Sequence, residues 1–354
     1  MAVSLDPAGV DQLARDLCAQ VREGAAPAEL GGVISRAVAP VVAHDGVRLV
    51  GSSPATKVGS FSFWQGIEPD LGHTWLYNFF AGADPLSPDD LARRRVPAGV
   101  VGAGTGGERR DQMMRRLFAS HGVGCELRLL LRDARGLWGS LGLLRAQGGR
   151  PFDQQDVHRV ARLTPALLAA LRGYVTAGPL TTVGPAPPAG VLIVGADHVI
   201  RAATPQARTW VKLLRDGQPN PDWITEPFMA GLAMKARRHA RDRRTTTSPL
   251  AVGPAASYGR WVAFQAEPLD DGENDAAIII QAAGHDQLFP SFCDWYRITP
   301  RERQIITHLR DARTPKQVAR SLGLSVYTVN DHLKKIHRKT GAGGRDELLA
   351  AITG

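Results

Sequence analysis

The sequence predicts an α+β chain in which antiparallel sheets of mixed connectivity, with helices, come first and an all-α four-helix unit closes the chain. Three observations carry this. Apolar strand patterns around short polar turns occur at residues 125–145, and again at 190–203 and 260–283. A stretch with four prolines and three glycines, residues 176–190, separates the two groups. After residue 293 the strand signal stops and helix-start signals follow one another.

At 354 residues the chain is too long for one ordinary core, so two or three domains are expected. Hydrophobic residues make up 44% and charged residues 22%, which is globular rather than disordered. The net charge of +9 favours an acidic partner, and it is localised. Residues 299–354 carry seven Arg and four Lys against five acidic residues, a net +6 in the last sixth of the chain. Cys18, Cys125 and Cys293 are scattered and odd in number, which reads as reduced thiols rather than a disulfide framework. No stretch approaches the ~20 apolar residues of a membrane span. With no signal segment at residues 1–11, a soluble cytoplasmic protein is expected.

In the first part, Ser4, Leu5, Asp6 and Pro7 start a helix whose Val10, Leu13, Leu17 and Val21 share a face. A second helix is expected over 27–43, strands over 47–51 and 59–65, and helices over 71–80 and 108–121. Strands 125–131 and 137–145 flank the turn Asp133-Ala134-Arg135-Gly136 as a hairpin. One long helix then runs from about 151 to 175. The hairpin "ELRLLLRDARGLWGSLGLLR" followed by "PFDQQDVHRVARL" resembles the end of a GAF domain, which implies a sensor fold over residues 1–178.

Beyond the linker, "GVLIVGADHVIRAATPQARTWVKLL" gives strand, turn, strand and helix. "GRWVAFQAEPLDD" and "DAAIIIQAA" give two more strands. This segment, residues 179–286, is similar to a PAS module, another sensor fold. Residues 284–295 read as a connector.

From Thr299 the pattern is helical. Thr299-Pro300-Arg301-Glu302 and Thr314-Pro315 are paired cap and proline signals, and Gly323 suits the left-handed turn that ends a helix. Ser325 caps a third helix whose Val329, Leu333, Ile336 and Thr340 form one inward stripe. Its opposite face carries Tyr327, Asn330, Asp331, Lys334, Lys335 and Arg338. A helix ~10–12 Å across fits the major groove and can present such residues to base edges and phosphates. Thr328 near the helix start and Lys316 of the preceding helix complete the candidate DNA-binding set.

The run "ITPRERQIITHLRDARTPKQVARSLGLSVYTVNDHLKKIHRKTGAGGRDEL" resembles the LuxR-type helix-turn-helix almost end to end. Thr299, Glu302, Val318, Ala319, Leu324, Ser325, Thr328, Val329, His332, Ile336, Lys339, Gly341 and Arg345 carry the likeness. The resemblance implies a transcription regulator over residues 293–354 that binds double-stranded DNA, as a homodimer reading two half-sites. The chain departs from the family at Ala312, often glycine, at Thr340, often leucine, and at Asn330, often basic.

Gly102 to Gly107 satisfies G-x-G-x-x-G, but "RVPAGVV" ahead of it is a poor strand, so an ordinary loop is favoured over a dinucleotide site. No serine-hydrolase, zincin or P-loop motif occurs. The expectation is therefore no enzyme, no cofactor and no metal. Lys235, Arg237, Arg238, Arg241, Arg243 and Arg244 read as a solvated helix face, with contact to DNA or an anionic ligand as the alternative. Phe61, Phe63, Trp64, Trp75 and Tyr77 are core candidates, a subset of which would line a pocket for a small-molecule effector. Two rivals stay open: a nucleotide-dependent enzyme with a DNA-binding tail, and a scaffold whose sensor segments bind proteins.

Overall fold

Half-buried strands need hydrogen-bonding partners, and in the computed structural model they find them antiparallel throughout. The structure describes residues 19, 29–102, 108–182, 184–216, 222–241, 249–269 and 274–353. The first sheet holds β1 (Gly46–Ser52), β2 (Gly59–Gln65), β3 (Ala98–Val101), β4 (Val123–Asp133) and β5 (Gly136–Ala146), in the order β2-β1-β5-β4-β3. The second holds β6 (Gly190–Val194), β7 (Ile200–Ala203), β8 (Leu250–Gly253), β9 (Val262–Pro268) and β10 (Ala276–Ala282), in the order β7-β6-β10-β9-β8. Counted within each group, the two orders are identical. Two such sheets ahead of a helical C-terminus are the α+β class the sequence predicts.

The helices of the first part are α1 (Leu30–Val38), α2 (Pro69–Ala81), α3 (Pro88–Ala92), α4 (Arg109–Ser120), α5 (Gln154–Ala161) and α6 (Thr164–Ala177). The expected helix at residues 4–21 lies outside the described residues. The long helix expected over 151–175 is two helices. Pro165 lacks an N–H and its ring would clash with the carbonyl four residues back, so the chain restarts there with proline in the first turn of α6. The segment "RVPAGVV", read as a poor strand, does supply β3. That strand is antiparallel to β4, unlike the parallel sheet of a dinucleotide fold. Of the glycine motif only Gly102 falls within the described residues.

The first sheet buries both faces. On one, Val47, Leu49, Leu127, Leu129, Leu141 and Leu143 join a core shared with α1, α5 and α6. The alternate positions, Arg48, Val50, Glu126 and Arg128, point the other way. That second face is covered by α2 and by α8 (Thr225–Arg241), which follows α7 (Pro205–Asp216) and packs on β9 and β10 of the second sheet. Tyr258, in the short α9 (Ala255–Tyr258), donates across to the Ser60 carbonyl of β2 at 2.9 Å. Gly72 of α2 leaves room for the Trp223 ring, and Gly231 of α8 for Phe80.

The connector expected at 284–295 is a structural helix, α10 (His285–Trp295). Its Trp295 packs on Trp138 at 4.9 Å and on Phe61 at 5.9 Å between ring centroids. Phe292 is equally buried, and full burial of each such side chain contributes roughly 1.5–3 kcal/mol. The same core runs on into the C-terminal helices through Ile305, Ile336 and Leu348.

Candidate nucleic-acid interface and the cavity between the sheets

The second face of the first sheet carries a buried ionic cluster. Arg48 on β1 and Arg128 on β4 both donate to Glu126, at 2.6 and 2.7 Å for their closest contacts, and Arg128 also pairs with Asp84. All four side chains are at most 4% exposed. Register explains how the charges meet: Gly142 of β5 lies opposite both Arg48 and Arg128. A Cβ there would sit 2.6 Å from a Glu126 carboxylate oxygen and 2.7 Å from Arg48 Nε, so the site requires glycine. Trp75 of α2 covers the cluster, its ring centroid 3.7 Å from the Arg48 guanidinium carbon. Burial alone would raise the Glu126 carboxyl, but the two guanidinium groups outweigh it and hold it at about 2.

Beside the cluster lies a cavity of about 460 Å³, walled by the first sheet, α2, α8 and Phe264 of β9. It has the size and largely apolar lining of a small-molecule pocket. Of the aromatic residues singled out from the sequence, Phe61, Trp64 and Trp75 line it. Phe63 does not: it packs edge-on to Tyr174 at 5.0 Å in the opposite core. Tyr77 does not either, and its ring neighbours are His73 and His198. The basic run divides in a way the solvated-face reading did not anticipate. Arg237 is buried and donates to the carbonyls of Val194 and Gly195, Arg241 reaches Asn274, and Lys235 and Arg238 line the cavity. Burial, reinforced by Arg238, pulls the Lys235 ammonium down to about 8. Arg243 and Arg244 lie outside the described residues.

Neither described cysteine is disulfide-bonded; burial raises both thiols, that of Cys293 to about 12, which leaves them poor nucleophiles. Among the described residues no cluster of His, Cys, Asp and Glu could hold a metal, and no helix is long and apolar enough to cross a membrane.

The C-terminal unit consists of α11 (Pro300–Arg310), α12 (Pro315–Leu322), α13 (Val326–Thr340) and α14 (Arg345–Thr353). Thr299 and Thr314 form capping boxes with Glu302 and Gln317, and Ser325 caps α13 through the Thr328 amide. Gly323 and Gly341 end α12 and α13 at φ of 63° and 79°. Val329, Ile336 and Thr340 are buried, with Leu333 half-buried. Lys339 of α13 holds the buried Glu302 of α11 at 2.6 Å, which fixes the angle between these helices. The unit is tied back to the sheets: Asp294 of α10 accepts from Arg303 at 2.7 Å and from the Ala55 amide at 3.1 Å. His285 contacts the Ile352 carbonyl at 2.9 Å.

On the outer side, Lys316, Asn330, Asp331, Lys334, Lys335 and Arg338 are exposed and Tyr327 is 83% exposed. Thr328 is half-buried, with its hydroxyl 2.9 Å from that of Ser325. Asp331 and Lys335 pair at 2.8 Å one turn apart, and this hydrogen bond keeps the Asp331 carboxyl below its ordinary range. Lys316, Lys334 and Arg338 form no ion pair among the described residues.

Residues 297–351 match the sequence model of the bacterial regulatory proteins of the luxR family. The segment is a LuxR-type DNA-binding domain. Over the whole chain, the structure of SdiA in complex with octanoyl-rac-glycerol is similar at 12% identity and TM-score 0.35, covering 99% of this chain and 98% of that one. Escherichia coli SdiA in the space group P6522 gives 13% identity and TM-score 0.34, over 97% and 98%. The photosensory core module of Stigmatella aurantiaca phytochrome gives 13% and 0.30, over 66% of this chain and 47% of that one. No curated protein matches the chain.

Two of the LuxR-type domain's departures have local explanations. Ala312 sits at φ 57°, in the left-handed region that glycine adopts without penalty. Ala312→Gly should therefore raise stability by about 0.5–1 kcal/mol, read as a higher urea midpoint at unchanged slope. A lower midpoint would show that alanine is not strained there. Thr340 returns its hydroxyl to the Ile336 carbonyl at 3.0 Å, which lets a polar residue stand at a buried position.

Proposed function

We propose that the chain is a cytoplasmic, homodimeric transcription regulator, not an enzyme, in which residues 1–178 (GAF-like) and 179–286 (PAS-like) sense an effector and control residues 293–354. One observation carries the reading: the polar N-terminal half of α13 faces solvent within a domain of luxR-family sequence. The identical strand orders of the two sheets support two related sensor units. Phe61 supports the coupling, because it lines the cavity and also touches Trp295 of α10, whose neighbour Asp294 holds Arg303 of α11. An effector would act by favouring one arrangement of the paired recognition helices.

Selection from random duplexes with the full chain tests this. Enrichment of a two-half-site sequence is the expected result, and no enriched sequence would overturn it. Asn330 is exposed on α13 and an asparagine can read adenine through two hydrogen bonds, so Asn330→Ala should relax selection at one position per half-site by about 1–3 kcal/mol. An unchanged sequence profile would remove Asn330 from base reading.

A further inference from the structure

The cavity has a charge pattern that its apolar walls do not explain. The buried cluster is internally balanced, two arginines against Glu126 and Asp84. Apart from it, Lys57, Arg110, Lys235 and Arg238 reach the cavity against a single acid, Asp89. None of these four cations forms an ion pair among the described residues. Three sit at exposed positions, whereas Lys235 is half-buried on α8. Taking an ammonium out of water without an ion-pair partner among the described residues is costly, and a counter-charge bound beside it offsets that cost. Donors are also left over on the same walls. Trp75 and Ser52 line the cavity, and the buried indole N–H and hydroxyl that they carry have no hydrogen-bond partner among the described residues. Both suit a ligand oxygen.

We propose that this cavity binds an apolar organic acid, its hydrocarbon or aromatic body among Trp64, Trp75, Phe79 and Phe228 and its anionic group at Lys235. The walls come from both sheet-bearing parts, the first sheet and α2 on one side and α8 on the other, so such a ligand bridges them. Its regulatory meaning rests on the sensor reading above, but its binding does not.

The test uses the full chain and two fluorescent probes of nearly the same aromatic body, 8-anilinonaphthalene-1-sulfonate, an anion, and neutral N-phenyl-1-naphthylamine. The anion should bind one per chain and at least tenfold more tightly than the neutral probe. Decanoate should displace it where decan-1-ol at the same concentration does not. Lys235→Met should weaken the anion at least tenfold and leave the neutral probe within twofold, and Lys235→Arg should restore the difference. Equal affinity for the two probes, or displacement by decan-1-ol as effective as by decanoate, overturns the proposal. Those two comparisons need only the wild-type chain, so a poorly folded variant does not obscure them. Binding of the same preparation to a random duplex pool is measured in parallel. Probe failure with DNA binding intact rejects the cavity assignment alone, and absence of DNA binding in the probe-free protein, with both probe comparisons as expected, rejects the regulator reading alone.

Discussion

Glu126→Gln should destabilise the chain by about 3–5 kcal/mol, seen as a lowered urea midpoint. The carboxylate is the shared partner of Arg48 and Arg128, and all three are sealed beneath Trp75. Glutamine keeps the shape but removes the charge, leaving two buried guanidinium groups with Asp84 as their remaining acid. The acid limb gives a second reading. The folded carboxyl is held at about 2, below its ordinary 4.5, so its contribution is complete above pH 4.5 and is lost as pH falls towards 2. Wild type should lose stability across that window more steeply than the glutamine variant. A variant with an unchanged midpoint and an unchanged acid limb would show that the pair of arginines is neutralised by other means. Because the cluster lies beside the cavity, the same substitution should also loosen ligand binding there.

Much of this molecule was legible in the sequence, and the reasons are local. The C-terminal helices were readable because their start and stop signals are chemical: threonine caps with proline next, glycines at the ends, and an apolar stripe at Val329 and Ile336. The exposed face of α13 follows from that stripe by geometry. The cavity was only partly legible. Phe61, Trp64 and Trp75 were named from composition, yet sequence cannot tell which side of a covered sheet a residue faces without the register, and Phe63 differs from Trp64 by one position. The ionic cluster was missed, although a signal existed. Arg48 and Arg128 alternate with Val47, Leu49, Leu127 and Leu129 in strands too apolar for a solvated face. Charges at such positions demand partners, and Gly142 marks where they fit. From sequence Lys235 reads as one of a run that is solvated or meets DNA or an anionic ligand, because the packing of α8 on a distant sheet leaves no trace in its own sequence. The helix break at Arg162 was overlooked despite Pro165, since the apolar periodicity continues through it.

The double variant Lys334→Ala/Arg338→Ala should weaken DNA binding on the order of 30-fold near 0.15 M salt. Each phosphate contact releases about 0.9 counterion, so removing two should also lower the slope of log K against log salt by about 2. The two side chains are exposed, form no ion pair among the described residues and lie one turn apart on the outer face of α13, so their loss leaves the fold intact. Anisotropy titrations between 50 and 300 mM salt measure both quantities, and an unchanged slope would place these residues away from the duplex. Asp331 sharpens the argument, because its pairing with Lys335 means the two side chains bring no net charge to the phosphates. Asp331→Ala frees that lysine and removes a repulsive charge at once. It should strengthen non-specific binding several-fold and steepen the salt slope by about 1. Opposite changes from neighbouring residues on one helix turn are not produced by general loss of structure. They require that this face of α13 lie against the phosphates.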